Sequence, residues 1–407
     1  MGGIKIGIIG AGLTGLVAAK ELSKKGLEVT IFEKMDHPGG KMRTEIVDGW
    51  KLDTGFQFLL TSYPYLTKHI DLSKIKFLTL DSAVSIFREG RKSEFGDPFK
   101  TKSIFWKTAF SDVGSFKDKR LILKLKKQLD GQSISEIFKT KKISTLEFLN
   151  DFGFSDIIIE RFFKPFYGGI FFENELKTSS RMFLFTFKMI ANGKTKIPLN
   201  GIGTVARLLE VKLDKVNFNY NCEVSKIEGQ TVFFNDGKTE SFDYVINTAP
   251  NLGGTKIETP IRDNYNLYFE HKSPAIISQP RIGLNANPNR LINSIFCPSI
   301  YQDFKKNKRK SLISITVLNT NGIKEKELIE KVGEELESDF NVKAPRFVKL
   351  YSLPSSLSRM DDPKNDVQFN VEDKTFNVGR YLMNDSHNAA CKVGGLIAKH
   401  LIKIEDL

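Results

Sequence analysis

The chain has 407 residues, 40% of them hydrophobic, and carries 61 Lys and Arg against 48 Asp and Glu, a formal net charge of +13. This length and apolar content support a sizeable buried core and two domains and exclude disorder. Cys222, Cys297 and Cys391 are widely separated and form no C-x-x-C pair, and the five histidines are scattered, which excludes a disulfide framework and any metal centre.

The chain opens IKIGIIGAGLTGLVAAKEL. Ile4, Ile6, Ile8 and Ile9 predict a buried parallel strand, and Leu16, Ala19 and Leu22 a helix that stops by Gly26. Between them Gly10, Gly12 and Gly15 have G-x-G-x-x-G spacing. In a strand–turn–helix context, Gly10 permits the tight turn and Gly12 lets backbone approach a pyrophosphate. Gly15 lets helix and sheet pack, and the helix opening at Leu13 and Thr14 supplies amides and a positive dipole. A second strand over 29–32 ends at Glu33, placed to hydrogen-bond a ribose, with Lys34 beside it. The alternative is a tight turn in an α/β domain with no ligand.

Next, EKMDHPGGKMRT brings Gly39, Gly40, Lys41 and Arg43, flexible backbone followed by two cations suited to a diphosphate. TEIVDGWKLDTGFQFLLTSYP then predicts a hairpin at Asp48-Gly49 and a glycine-containing loop over 53–58. From 63 to 195 the chain reads mainly helical. Within it FKDKRLILKLKKQL gathers Leu121, Ile122, Leu125 and Leu129 on one face, ringed by Lys119, Lys124, Lys126 and Lys127. That pattern fits a helix packed on a core, or peripheral contact with a membrane surface.

The stretch 161–187 crowds Phe162, Phe163, Phe166, Tyr167, Phe171, Phe172, Phe183, Phe185 and Phe187 around Gly168 and Gly169. It is either ordinary core or the lining of a cavity for a long apolar molecule. CEVSKIEGQTVFFNDGKTESFDYVIN predicts a β-meander turning at Asp236-Gly237. Residues 251–365 predict strands plus an amphipathic helix around Leu328, Ile329, Val332 and Leu336. The basic run FKKNKRK at 304–310 lacks interleaved aromatics beyond Phe304, so nucleic acid is not an expected partner. At the C-terminus FNVGRYLMNDSHNAACKVGGLIAKHL predicts a short strand over 376–378 and a helix capped by Ser386 with an apolar face at Val393, Leu396, Ile397 and Leu401.

These motifs together resemble the flavin amine oxidase and phytoene desaturase superfamily: the fingerprint, the GG-basic motif at Gly39, Gly40 and Lys41, the D-x-G-F-Q loop at Asp53, Gly55, Phe56 and Gln57, the blocks RFFKPFYGGIFF and IPLNGIGTVARLL, DYVINTAP at 243–250, and the final segment. The resemblance implies an α/β fold, a Rossmann-type FAD-binding domain with parallel sheet and meander, interleaved with a mixed α+β substrate domain. The expected division is 1–62, 196–250 and 366–407 against 63–195 and 251–365. It implies FAD contacts also from Phe58, Val224, Ala249, Gly379, Arg380, Ser386, Asn388 and Ala389. Arg380 stands where the family carries an acid, and Ala389 where it carries a glycine. The implied activity is FAD-dependent dehydrogenation of an apolar, carotenoid-like substrate, with an amine oxidase and a non-redox isomerase or mutase as alternatives. Flavin supplies the redox chemistry, so Lys41 and Tyr167 are the acid–base candidates. The sequence leaves the electron acceptor open. No apolar run is long enough to span a membrane, and a cytoplasmic setting is expected.

Overall fold

The computed structural model describes residues 3–55, 57–249, 252, 264–302, 310–318, 320, 322–352, 362–370 and 374–407. Phe56, Pro250 and residues 304–309 of the basic run lie outside them. The fold is α/β. Its first sheet has five parallel strands in the order Val216–Asn219, Glu28–Phe32, Lys5–Ile9, Tyr244–Asn247 and Thr375–Asn377. Alternation along the first strand explains how both faces are covered. Ile6 and Ile8 join the cluster containing the helices Leu13–Ser23 and His387–Ile404. Ile9 points the other way, with Phe32 and Val245, into a cluster with Val224, Val232 and Phe242. The meander Val224–Glu228, Thr231–Phe234, Thr239–Ser241 thus caps the second face. Gly7 belongs there too: a Cβ on it would lie 2.7 Å from the Phe242 ring.

In chain order the strands run third, second, first, fourth, fifth, so connections leave in opposite directions from the adjacent strands Lys5–Ile9 and Tyr244–Asn247. Their carboxyl ends flank the switch point at which open α/β sheets bind ligands.

A second sheet of seven strands runs Arg346–Ser352, Tyr265–His271, Ser311–Val317, Ile292–Phe296, Ile282–Asn285, Ala83–Arg88 and Arg91–Gly96. It is antiparallel except where Ile282–Asn285 meets Ala83–Arg88. Helix Glu325–Phe340 buries Leu328, Val332, Leu336 and Phe340 in the cluster formed with Phe87, Phe269, Ile313 and Ile315. Two of these strands fall within 63–195, where helix was expected. AVSIFR is rich in β-branched and aromatic residues, and Glu89 and Gly90 turn it at φ 50° and 70°, the two positive angles of a tight hairpin. Helices then dominate from Phe105–Ala109 to Ser180–Asn192.

The hairpin Thr44–Val47 and Trp50–Asp53 turns at Asp48 and Gly49, φ 51° and 83°. It buries Trp50 and Leu52 against Tyr268, Leu312 and Tyr351 of the large sheet. The loop that follows is therefore anchored against the large sheet.

Candidate functional site

Each fingerprint glycine is required for a different reason. Gly10 has φ +99°, and a Cβ on it would strike Thr248 Oγ1 at 2.6 Å. On Gly15 a Cβ would lie 2.1 Å from the Gly10 carbonyl oxygen, so strand and helix close on that point. Gly12 is the opposite case: among the described residues, a Cβ there meets nothing within 4 Å. Gly12 caps helix Leu13–Ser23 at φ −75°, a conformation open to other residues, so its lack of a side chain keeps space clear above a helix N-terminus. That space and dipole suit a diphosphate. Leu13 and Thr14 are buried in the first turn. Ala249 follows the neighbouring strand and donates its N–H to Asn247 Oδ1 at 3.0 Å.

Glu33 is buried, and its carboxylate accepts from the Ala11 N–H at 2.8 Å and the Met35 N–H at 3.1 Å. It therefore fixes the glycine turn directly. The meander enters beside it, with Cys222 N–H donating to the Glu33 carbonyl at 2.9 Å, which brings Val224 to the same side. Lys34 is exposed. Arg43 is half-buried, with Nη1 3.8 Å from Met35 Sδ.

The second glycine pair docks on the first. Gly39 N–H donates to the Ala11 carbonyl at 2.9 Å, and a Cβ on Gly40, φ +57°, would lie 3.3 Å from Gly12 Cα. Lys41 follows. Burial and the Arg380 guanidinium push its pKa down to about 7, against the opposing pull of Asp385. The residue as a whole is nonetheless exposed to solvent, as for an ammonium at the open side of a cleft. Arg380 Nε lies 2.9 Å from Asp385 Oδ1, and Asp385 is nearly inaccessible. The pair is tied further by Arg380 Nη1 donating to the Asp385 carbonyl at 3.1 Å. Gly379, extended at φ 173°, lies over the Tyr381 ring. Ser386 caps the last helix by accepting from Ala389 N–H at 3.0 Å. That amide is thus engaged by the cap. Asn388 is also engaged structurally, its Oδ1 accepting from Tyr65 N–H at 2.9 Å.

The loop after Asp53 carries a buried polar network. Tyr268 OH and Asn266 Nδ2 donate to the Asp53 carbonyl at 2.8 and 3.0 Å, and Ser314 Oγ donates to Asn266 Oδ1 at 3.0 Å. Both hydroxyl protons are then committed, so Gln57 must offer Nε2 to Tyr268 OH and Ser314 Oγ, at 3.0 and 2.5 Å. Gln57 itself also lines the cavity. Asn266, Tyr268 and Ser314 were not singled out in the sequence. Their signal was polar residues spaced by two within apolar strands, YNLYFEH and SLISITV. The Asp53 carboxyl serves elsewhere, accepting from Thr44 Oγ1 at 2.6 Å and Ile202 N–H at 2.9 Å, and burial raises its pKa to about 6.

The cavity, about 340 Å³, runs from Gly55, Gln57 and Phe58 to the aromatic block, where Phe162, Phe166, Tyr167, Phe172 and Phe187 form its wall. Phe163, Phe171, Phe183 and Phe185 of the same block are buried core that does not line it. Tyr167 is buried, and burial raises its pKa well above the ordinary phenol value, so it stays protonated and does not act as a base near neutral pH. Lys41, whose depressed pKa would suit proton transfer, does not line this cavity. The two acid–base candidates are therefore not brought together there.

The chain matches the profile of flavin containing amine oxidoreductases over residues 13–252. A 4,4'-diapophytoene desaturase (4,4'-diaponeurosporene-forming) of Staphylococcus aureus (strain Newman) is 50% identical over 52 residues, 13% of this chain and 10% of that protein, so the match spans about a tenth of the relative's length. An oxidoreductase from Methanosarcina mazei superposes with a TM-score of 0.73 at 18% identity, covering 97% of this chain and 100% of that one. A putrescine oxidase redesigned in its cofactor binding superposes at 0.69 with 14% identity, covering 99% and 100%. Those identities speak to fold alone. With the profile spanning more than half of the sequence and a glycine cradle fitted to a dinucleotide, the chain belongs to the flavin-containing amine oxidoreductase family and takes FAD as its cofactor.

Proposed function

We propose that the protein dehydrogenates a long apolar, isoprenoid-like small molecule, with FAD held by a discontinuous domain of 1–62, 196–250 and 366–407 and substrate held by 63–195 and 251–365. The observation that carries this reading is the cavity joining Gly55 and Gln57 to Phe162, Phe166, Tyr167 and Phe187. FAD, when bound, supplies the hydride acceptor. The Gly10–Gly15 and Gly39–Lys41 segments hold its diphosphate, and Glu33 and Val224 lie on the side suited to its ribose and adenine. The aromatic wall orients an apolar chain and excludes water. Gln57, its amide held by Tyr268 and Ser314, stands at the inner end. Three free thiols, Cys222, Cys297 and Cys391, accord with a reducing cytoplasmic setting. No helix among the described residues is long and apolar enough to cross a membrane, and the substrate's chemistry favours work at the inner membrane face.

Anaerobic mixing with dispersed isoprenoid polyenes tests the reading. Bleaching of the flavin absorbance together with a longer conjugated chromophore in the product is the expected result. Bleaching by amines and not by polyenes would assign the amine oxidase reaction instead. Substrate rearrangement without net bleaching would assign an isomerase or mutase.

A further inference from the structure

The amphipathic helix Phe116–Asp130 turns its leucine stripe inward: Leu125 and Leu129 are fully buried and Leu121 and Ile122 are partly so. The exposed apolar surface lies elsewhere. Of the ten large hydrophobic side chains exposed among the described residues, six fall between positions 99 and 123, namely Phe99, Phe105, Trp106, Phe110, Phe116 and Leu123. Such a concentration is not ordinary scatter. Trp106 stacks on Phe110 with ring centroids 5.9 Å apart and meets Phe105 edge-on at 5.1 Å. Lys119 Nζ ties the two helices together by donating to the Ala109 and Ser111 carbonyls at 2.9 and 3.0 Å.

These elements surround one opening. Phe99, Lys100, Thr108, Lys119, Leu123 and Lys126 all line the same cavity whose inner end is Gly55 and Gln57. The apolar rim is also strongly cationic. From 99 to 127 the chain carries nine Lys or Arg and only two Asp, and Lys100, Lys102, Lys107, Lys117, Arg120, Lys124 and Lys127 are exposed. Of the two acids, Asp118 is buried and bonded to Ser115 and Ser155, and Asp112 is paired with Arg161. Exposed aromatics amid long basic side chains suit the interface of an anionic bilayer, where rings enter the headgroup boundary and ammonium groups reach the phosphates.

We propose that this rim is a docking surface for an anionic lipid bilayer, placing the cavity mouth on the membrane so that an apolar substrate passes from lipid to flavin without crossing water. The purpose assigned to it rests on the apolar-substrate reading, whereas its binding test does not. Of the chain's two tryptophans, Trp50 is buried at 1% exposure and Trp106 is 69% exposed, so Trp106 is a built-in reporter.

The FAD-loaded protein is mixed with vesicles of phosphatidylcholine and phosphatidylglycerol, with pure phosphatidylcholine as the control. Co-sedimentation with the anionic vesicles, a blue shift of Trp106 emission and weakening by salt are expected. The double substitution Phe110→Asp with Phe116→Asp retains Trp106 and should bind on the order of tenfold more weakly or worse. Its FAD content and melting temperature should be unchanged, since both rings are exposed. Absence of binding to anionic vesicles, or equal binding by the double variant, overturns the proposal. So does a dimer in vesicle-free buffer that the double variant abolishes, because the surface would then join two copies of the chain. Vesicle binding without flavin reduction by polyenes would leave the docking surface standing and remove only the desaturase reading.

Discussion

Gly40 stands directly on Gly12: a Cβ on Gly40 would lie 3.3 Å from the Gly12 Cα, whereas a Cβ on Gly12 would meet no described atom within 4 Å. The two glycine loops are one cradle, closed by Gly40 and kept clear by Gly12. Alanine substitution should separate their duties. Gly12→Ala adds a methyl to open space, so the melting temperature of the cofactor-stripped protein should hold while FAD retention falls at least tenfold. Gly15→Ala, its methyl 2.1 Å from the Gly10 oxygen, should lower that melting temperature itself. Equal FAD retention by Gly12→Ala would remove the diphosphate from this position.

Lys41 gives the cradle a pH dependence. Its pKa of about 7 comes mainly from burial and then from Arg380, and an arriving diphosphate would favour the protonated form. Binding then takes up a proton at pH above about 7, so affinity declines as pH rises through that value, at most about tenfold per unit. Titrating stripped protein with FAD from about pH 6 to about pH 9, with the flavin's fluorescence as readout, should show this slope, and Lys41→Gln should flatten it. The same slope in both proteins would detach Lys41 from the diphosphate.

The parts legible in the sequence were those fixed by local backbone chemistry. Gly10 and Gly15 announce a strand–turn–helix because that geometry admits no side chain there, and Asp48-Gly49 announces its hairpin through two positive φ angles. The long-range pairing of Ala83–Arg88 with Ile282–Asn285 left no mark that local periodicity could read. Nor did the Gln57, Tyr268 and Ser314 network, since its residues are separated by 211 and 257 positions from Gln57. The aromatic block shows the same limit from within. Phe162 and Phe163 are neighbours in sequence, yet one faces the cavity and the other the core.

That division within the block yields a contrast. Phe183 is fully buried away from the cavity, so Phe183→Ala should cost about 3–5 kcal/mol of stability. Phe166 is only partly buried and lines the cavity. Phe166→Ala should lower kcat/KM on an apolar substrate by more than tenfold with a much smaller loss of melting temperature and normal FAD content. Chemical denaturation and steady-state rates on both variants decide it. A Phe166 variant with unimpaired turnover would show that the substrate does not run along this wall.

Arg380 stands where the resembling family carries an acid, and alone its guanidinium would stabilise the extra negative charge of reduced flavin. It is not alone, because Asp385 lies 2.9 Å away and is almost wholly inaccessible. The pair is close to neutral as a unit, so the unmodified protein should show little net shift from it. The halves should act in opposite directions. Asp385→Asn leaves the guanidinium uncompensated and should raise the midpoint potential, whereas Arg380→Ala leaves a carboxylate and should lower it, with the double variant returning near the starting value. A full charge at about 6 Å in an effective dielectric of 20 is about 3 kcal/mol before screening, on the order of 60 mV for a two-electron couple; solvent brings the expected shifts to tens of millivolts. Redox titration of the three variants, each with its FAD content measured, reads them directly. Shifts of opposite sign that cancel in the double variant place the pair beside the flavin. No shift in any variant at full FAD content would make Arg380 and Asp385 a structural clasp for the turn that leads into helix His387–Ile404.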